Sequence, residues 1–129
     1  QAEVGSAAGM AAAALVEMAG GTPRQAAEAM AIALKNMLGL VCDPVAGLVE
    51  VPCVKRNAIG AANAMIAADM ALAGIQSRIP CDEVIEAMFR IGQTMPVSLK
   101  ETAQGGLAAT PTARKFEADI FGKPNNERE

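Results

Sequence analysis

Apolar positions along the chain recur at helical spacing, and glycine and proline cut them into segments. Val4 to Ala19 is an alanine-rich helix, stopped by Gly20-Gly21. Gly5, Ser6 and Gly9 lie on neighbouring positions of it and allow another backbone to come near. Thr22-Pro23-Arg24-Gln25 opens a second helix: Thr22 can cap, Pro23 suits the first turn, and Gln25 can return the bond of a capping box. That helix runs to about Leu38, with Met30, Leu34, Met37 and Leu38 as its apolar face, and Gly39 stands where a left-handed terminator belongs. A long helix follows from Cys53 or Val54 to Gly74, and another from the Pro80–Asp82 region to Met95, where Pro96 forbids continuation. Ser98 and Glu101 form a second possible capping box, predicting a short helix ended by Gly105-Gly106. Thr110-Pro111 opens a last helix through about Phe121, and the polar stretch 123–129 reads as a tail. No alternation of the β type persists and no repeat is visible, so the expected architecture is all-α, a compact bundle of five or six helices over residues 1–122.

One stretch breaks the helical pattern. Leu40 to Pro52 carries Pro44, Gly47 and Pro52 with Val and Leu between them, and is expected to be an ordered, largely buried loop. Apolar, stiff loops of this kind tend to hold something.

Composition sharpens the picture. Of 129 residues, 52% are apolar, enough for a core, but the aromatics are three Phe with no Tyr or Trp. Alanine, glycine and methionine are expected to fill the interior. A buried Met or Leu contributes roughly 1.5–3 kcal/mol and an Ala far less, so stability is expected to lean on contacts with further parts of a larger protein. The chain starts at Gln1 rather than Met, which suggests a fragment or processed subunit. A net charge of −3, with Lys and Arg scattered, argues against a nucleic-acid partner. The most apolar helix, Ala58 to Ile75, holds Asn63 and Asp69 and is dominated by Ala, which argues against a membrane span. Three cysteines, an odd number, favour a reducing, cytoplasmic setting over a disulfide scaffold.

Cys42 and Cys53 bracket the loop, as Cys-Asp-Pro at one end and Pro-Cys at the other. Their spacing is not that of a zinc finger, the chain has no His to complete a zinc site, and the tight ferredoxin pattern is missing. Cys53 would open a helix, where the positive end of the helix dipole stabilises a thiolate. On the residues alone two readings stand: metal or cluster ligands, or small buried hydrophobes.

The segment from Gly39 to Gly60, GLVCDPVAGLVEVPCVKRNAIG, closely resembles the α part of bacterial iron–sulfur L-serine dehydratases, as do Gln1-Ala-Glu-Val-Gly5 and Lys100-Glu-Thr-Ala-Gln-Gly-Gly-Leu107. The resemblance extends from Gln1 to about Gly122. It implies a 4Fe–4S cluster on three cysteines, two matching Cys42 and Cys53, the third falling immediately before Gln1 and so outside this sequence. With two of three ligands, this chain by itself is expected to be apo or to lose its cluster readily. Cys81 matches no ligand of the family. The resemblance implies an iron without a protein sulfur that acts as a Lewis acid on the hydroxyl of L-serine, with no pyridoxal cofactor. Loss of the Cα proton and of water then leads through an aminoacrylate and its imine to pyruvate and ammonia. Because the chain has no His, the general base is expected from a β subunit or β domain, in an oligomeric parent.

Around the cysteines, Arg56 and Asn57, and less strongly Lys55, are candidates to hold the serine carboxylate or to tune the cluster. Cations at a helix N-terminus oppose the dipole by roughly 0.3–1 kcal/mol each, so their presence there asks for a reason. Gly105-Gly106, beside Lys100-Glu101-Thr102, can admit substrate or cluster close to the backbone, or simply stop a helix. Gln1 and Glu3 would flank the missing ligand. The alternatives to a lyase subunit are a helical scaffold with buried structural cysteines and a regulatory module of another iron–sulfur protein.

Overall fold

The computed structural model describes residues 2–122; Gln1 and the expected tail at 123–129 lie outside the described residues. The fold is all-α, with α1 at Ala2–Met18, α2 at Pro23–Lys35, α3 at Cys53–Leu72, α4 at Cys81–Thr94 and α5 at Pro111–Phe121. Short 3-10 turns occupy Val45–Gly47, Val97–Leu99 and Gly106–Ala109. Among the described residues, β structure is confined to an isolated parallel bridge between Cys42 and Lys100. No described helix is long and apolar enough to cross a membrane.

The punctuation read from sequence acts as expected at most boundaries. Thr22 Oγ1 accepts from the Gln25 N–H at 3.2 Å, and Gln25 Oε1 accepts from the Thr22 N–H at 2.9 Å, a complete capping box. Gly39 and Gly74 both take left-handed φ, 77° and 86°, shortly after α2 and α3 end. The segment after Pro96 is the exception, because the helix expected from Ser98 to Gly105 does not form. Instead Glu101 takes φ 65°, and its N–H is spent on the Cys42 carbonyl at 2.8 Å, so no capping box can close there.

The chain divides into two compact units. Among the described residues, one comprises 2–40 with 56–94, the other 41–55 with 95–122. In the first unit α2 is the shared element. Its Ala29, Ile32 and Ala33 join Ala12 and Val16 of α1 and Ala64, Ala67, Ala68 and Ala71 of α3 in one buried cluster. Its Ala31 and Leu34 join Val84 of α4 in another, flanked by Met30, Cys81 and Met88. Such a core works by close approach. A Cβ at Gly9 would sit 3.2 Å from Leu34 Cγ, and one at Gly60 would sit 2.9 Å from Val4 Cγ2.

The same closeness corrects the expectation that methionine fills the interior. Met37 is buried and Met30 and Met88 pack at the second cluster, but Met10, Met18, Met65 and Met70 are exposed, Met18 to 83%. Backbones brought together over alanine leave no gap that a long side chain could fill. The outer face of α3, with Ile59, Met65 and Ile66, is likewise apolar and exposed.

Side chains also close helix ends. Gln25 Nε2 donates to the carbonyls of Ala71 (3.2 Å) and Leu72 (3.4 Å) at the end of α3. Asn63, 8% exposed, donates from Nδ2 to the Ala33 carbonyl near the end of α2 at 2.9 Å, and its Oδ1 accepts from Asn36 Nδ2 at 2.7 Å. Asn63→Ala removes the donor to a carbonyl in the alanine core. It is expected to lower stability by about 1–3 kcal/mol, read as a fall in the urea midpoint at unchanged m-value.

Candidate functional site

The second unit carries the loop between Cys42 and Cys53. After the first cysteine come Asp43 and Pro44, both buried, and then the turn at Val45–Gly47, in which Ala46 takes φ 56°. The Val45 N–H donates to the Val51 carbonyl at 2.9 Å, so the loop closes on itself just before Pro52 and Cys53. Its expected burial holds only for the first part. Leu48, Val49 and Val51 are exposed, Val49 to 56%, because a turn whose polar backbone closes on itself brings no second layer of side chains over them.

Cys42 is held from both sides by backbone. Its N–H donates to the Leu99 carbonyl at 3.0 Å, and its carbonyl accepts from the Glu101 N–H at 2.8 Å. Asp43, 2% exposed, extends the tie: its Oδ2 accepts from the Leu107 N–H at 2.6 Å. Gly105 and Gly106 are what permit this. A Cβ at Gly106 would fall 2.7 Å from Asp43 Cβ, and one at Gly105 would fall 3.0 Å from the Ser98 carbonyl oxygen. The close approach expected of these glycines is therefore to Asp43 and Ser98, and they open the turn at Gly106–Ala109 rather than stop a helix. Glu101 and Ala103 hold left-handed φ of 65° and 54° within the same stretch, and Thr102 Oγ1 donates to the Val97 carbonyl at 2.9 Å. Non-glycine residues in that region cost about 1–3 kcal/mol each and persist only where the surroundings impose them.

Cys53 is the first residue of α3, as expected, at the end where the helix dipole favours a thiolate. Arg56 and Asn57 stand three and four positions on and share its helical face, whereas Lys55, two positions on and exposed, is turned to another. Arg56 is half-buried. Asn57 also belongs to the first unit's cleft of about 280 Å³, lined with Glu3, Val4, Ala8 and Gly60. Glu3 thus shares a cavity with one of the candidate residues.

None of the three cysteines is in a disulfide, and all are partly exposed. Cys42 and Cys53 offer two thiolate donors of the kind iron–sulfur clusters use. They are not a complete set: among the described residues no group of three or more His, Cys, Asp or Glu is disposed to hold a metal ion. Cys81 opens α4 beside the core of the first unit, and burial, with a smaller contribution from Asp82, pushes its thiol above the ordinary value. A raised thiol suits packing rather than ligation.

Asp43 and the pairing of Cys42 with Lys100 were not legible as functional features. The nearest signals were the acid directly after a cysteine and the paired glycines more than sixty residues later.

Comparison with known proteins gives a consistent result. A family model described as serine dehydratase alpha chain matches residues 1–108. The chain is 81% identical over all 129 residues to a protein named probable L-serine dehydratase, alpha chain, of Bacillus subtilis, covering 43% of that protein. It is 65% identical over 123 residues to the similarly named protein of Latilactobacillus sakei, covering 95% of this chain and 59% of that protein. With the L-serine dehydratase alpha chain of Peptoniphilus asaccharolyticus the identity is 57% over 121 residues, covering 94% and 41%. The chain thus spans about half the length of these relatives.

Gly106→Ala is expected to cost about 2 kcal/mol or more, since it combines a left-handed alanine with a clash on Asp43, and chemical denaturation reads the loss directly. Cys81, its thiol raised, should alkylate with iodoacetamide more slowly in the folded chain than in urea at the same mildly alkaline pH; equal rates would contradict the raised value.

Proposed function

The chain belongs to the serine dehydratase alpha chain family, and from that footing we propose that it is the cluster-carrying part of an L-serine ammonia-lyase that forms pyruvate and ammonia. The observation that carries the reading is the treatment of Cys42. Hydrogen bonds hold its backbone on both sides, and strained residues and close-packed glycines fix the stretch it pairs with, yet the residue stays outside any disulfide and partly exposed. A cysteine that served only as a small hydrophobe would sit with the alanines of the core.

Cys42 and Cys53 are the two ligands this chain supplies to a 4Fe–4S cluster, and a third comes from a residue preceding Gln1. When bound, the cluster supplies a Lewis-acidic iron for the hydroxyl of L-serine. The rest falls to protein groups. The loop closed by Val45 and Val51 spaces the two thiolates. Arg56 and Asn57, which follow Cys53 in sequence, offer hydrogen-bond donors for the substrate carboxylate or the cluster. The Cα proton is taken by a base on a partner chain, the β chain that an alpha-chain name implies, because this chain has no His, the usual general base. No pyridoxal cofactor takes part. Thiolates and iron of this kind are sensitive to oxidation, and the reading assigns the protein to a reducing, cytoplasmic setting.

The test uses the intact parent with its partner, reconstituted anaerobically with iron and sulfide. Cys42→Ala and Cys53→Ala are each expected to abolish both the visible cluster absorbance and pyruvate formation from L-serine, while Cys81→Ala retains both. Unchanged absorbance in the first two variants would contradict the assignment.

A further inference from the structure

The bridge at Cys42 has a register, and the register names a residue. The two bonds of Cys42 run to Leu99 and Glu101, the neighbours of Lys100 on either side, so Lys100 is the residue paired with Cys42. Backbones joined by such a bridge lie about 4.8 Å apart. The stem of Lys100 therefore starts from backbone that lies directly alongside that of Cys42.

The backbone beneath Lys100 is fixed to an extent that a surface lysine does not need. Its own N–H donates to the Val97 carbonyl at 3.1 Å. The left-handed Glu101 and Ala103 follow, and the stretch is pinned again where Asp43 accepts from Leu107. Lys100 itself is exposed, and among the described residues no carboxylate forms an ion pair with it. Strain held under an available cation is a feature of binding sites.

We propose that Lys100 binds the carboxylate of L-serine. This deepens the proposed function and rests on its placement of the substrate hydroxyl at a cluster held by Cys42. In L-serine the hydroxyl oxygen and the carboxylate carbon are joined through two carbons only. A molecule whose hydroxyl meets the cluster beside Cys42 must present its carboxylate within a side chain's length of that residue. Lysine offers three donors and no acceptor, so it matches the carboxylate and not the ammonium of the amino acid. Its flexible four-carbon stem reaches from the bridge to a ligand above it.

The experiment uses the anaerobically prepared holoenzyme, the intact α chain with its partner. Lys100→Met is expected to raise KM for L-serine by about 10- to 100-fold, the range of a lost charged hydrogen bond, with a much smaller change in kcat. The dissociation constant of L-alanine, which has the carboxylate but no hydroxyl to eliminate, should rise in parallel by titration calorimetry. Lys100→Arg should restore most of the affinity, and the visible spectrum and midpoint potential of the cluster should not move in either variant. An unmoved KM in Lys100→Met overturns the proposal alone. So does a shifted cluster potential at unchanged KM, which would make Lys100 a partner of the Cys42 sulfur instead. A wild-type holoenzyme with neither cluster nor pyruvate formation overturns this proposal together with the function it rests on.

Discussion

In the unit that holds both candidate ligands, position depends on a short tie between stretches more than fifty residues apart in sequence. Cys42 exchanges backbone hydrogen bonds with Leu99 and Glu101, and Asp43 takes the amide of Leu107 on its buried carboxylate. This tie sits among turns and a single terminal helix, with little regular structure around it. It must therefore supply locally the rigidity that a sheet would otherwise give. The cost shows in the left-handed backbone at Ala46, Glu101 and Ala103, each contrary to the preference of an L-residue. A charge-assisted bond from a backbone amide to a carboxylate, roughly twice as strong as a neutral one, is well suited to offset it.

The first unit solves a different problem. Its helices carry few large side chains, so burial comes from bringing backbones together over alanine and glycine, with α2 shared between two clusters. That arrangement leaves little apolar area per residue inside and strands Met10, Met65 and Ile66 outside. Polar side chains then matter more than in a bulkier core. Asn63 and Gln25, which close the ends of helices belonging to other segments, contribute specificity that alanine packing alone lacks.

How much of this could be read from the sequence follows from the range of each interaction. Local signals were sufficient for helix ends: the Thr22 capping box, the glycines after α2 and α3, and Thr110 with Pro111 at the start of α5 all act within four residues of themselves. Cys53 at a helix start was legible for the same reason. The Ser98–Glu101 capping box misled because Glu101 gives its amide to a residue nearly sixty positions away, and no local pattern records that competition. Gly105-Gly106 signalled close approach correctly but not its object, since Asp43 is as distant in sequence. The exposure of the loop tip and of several methionines was hidden by composition, which counts apolar residues without saying whether the chain supplies their partners. The role proposed for the cysteines comes from a long specific resemblance and not from spacing, because a pair eleven positions apart is common to ligands and core residues alike.

The central claim is that Cys42 and Cys53 grip one iron–sulfur cluster at the two edges of a closed loop. Crystals of the intact parent grown without oxygen, measured at the iron absorption edge, test it most directly. The account predicts a single compact iron peak with the sulfurs of both residues bonded to it. Iron bound elsewhere, or the two sulfurs turned to opposite sides of the loop, would contradict it.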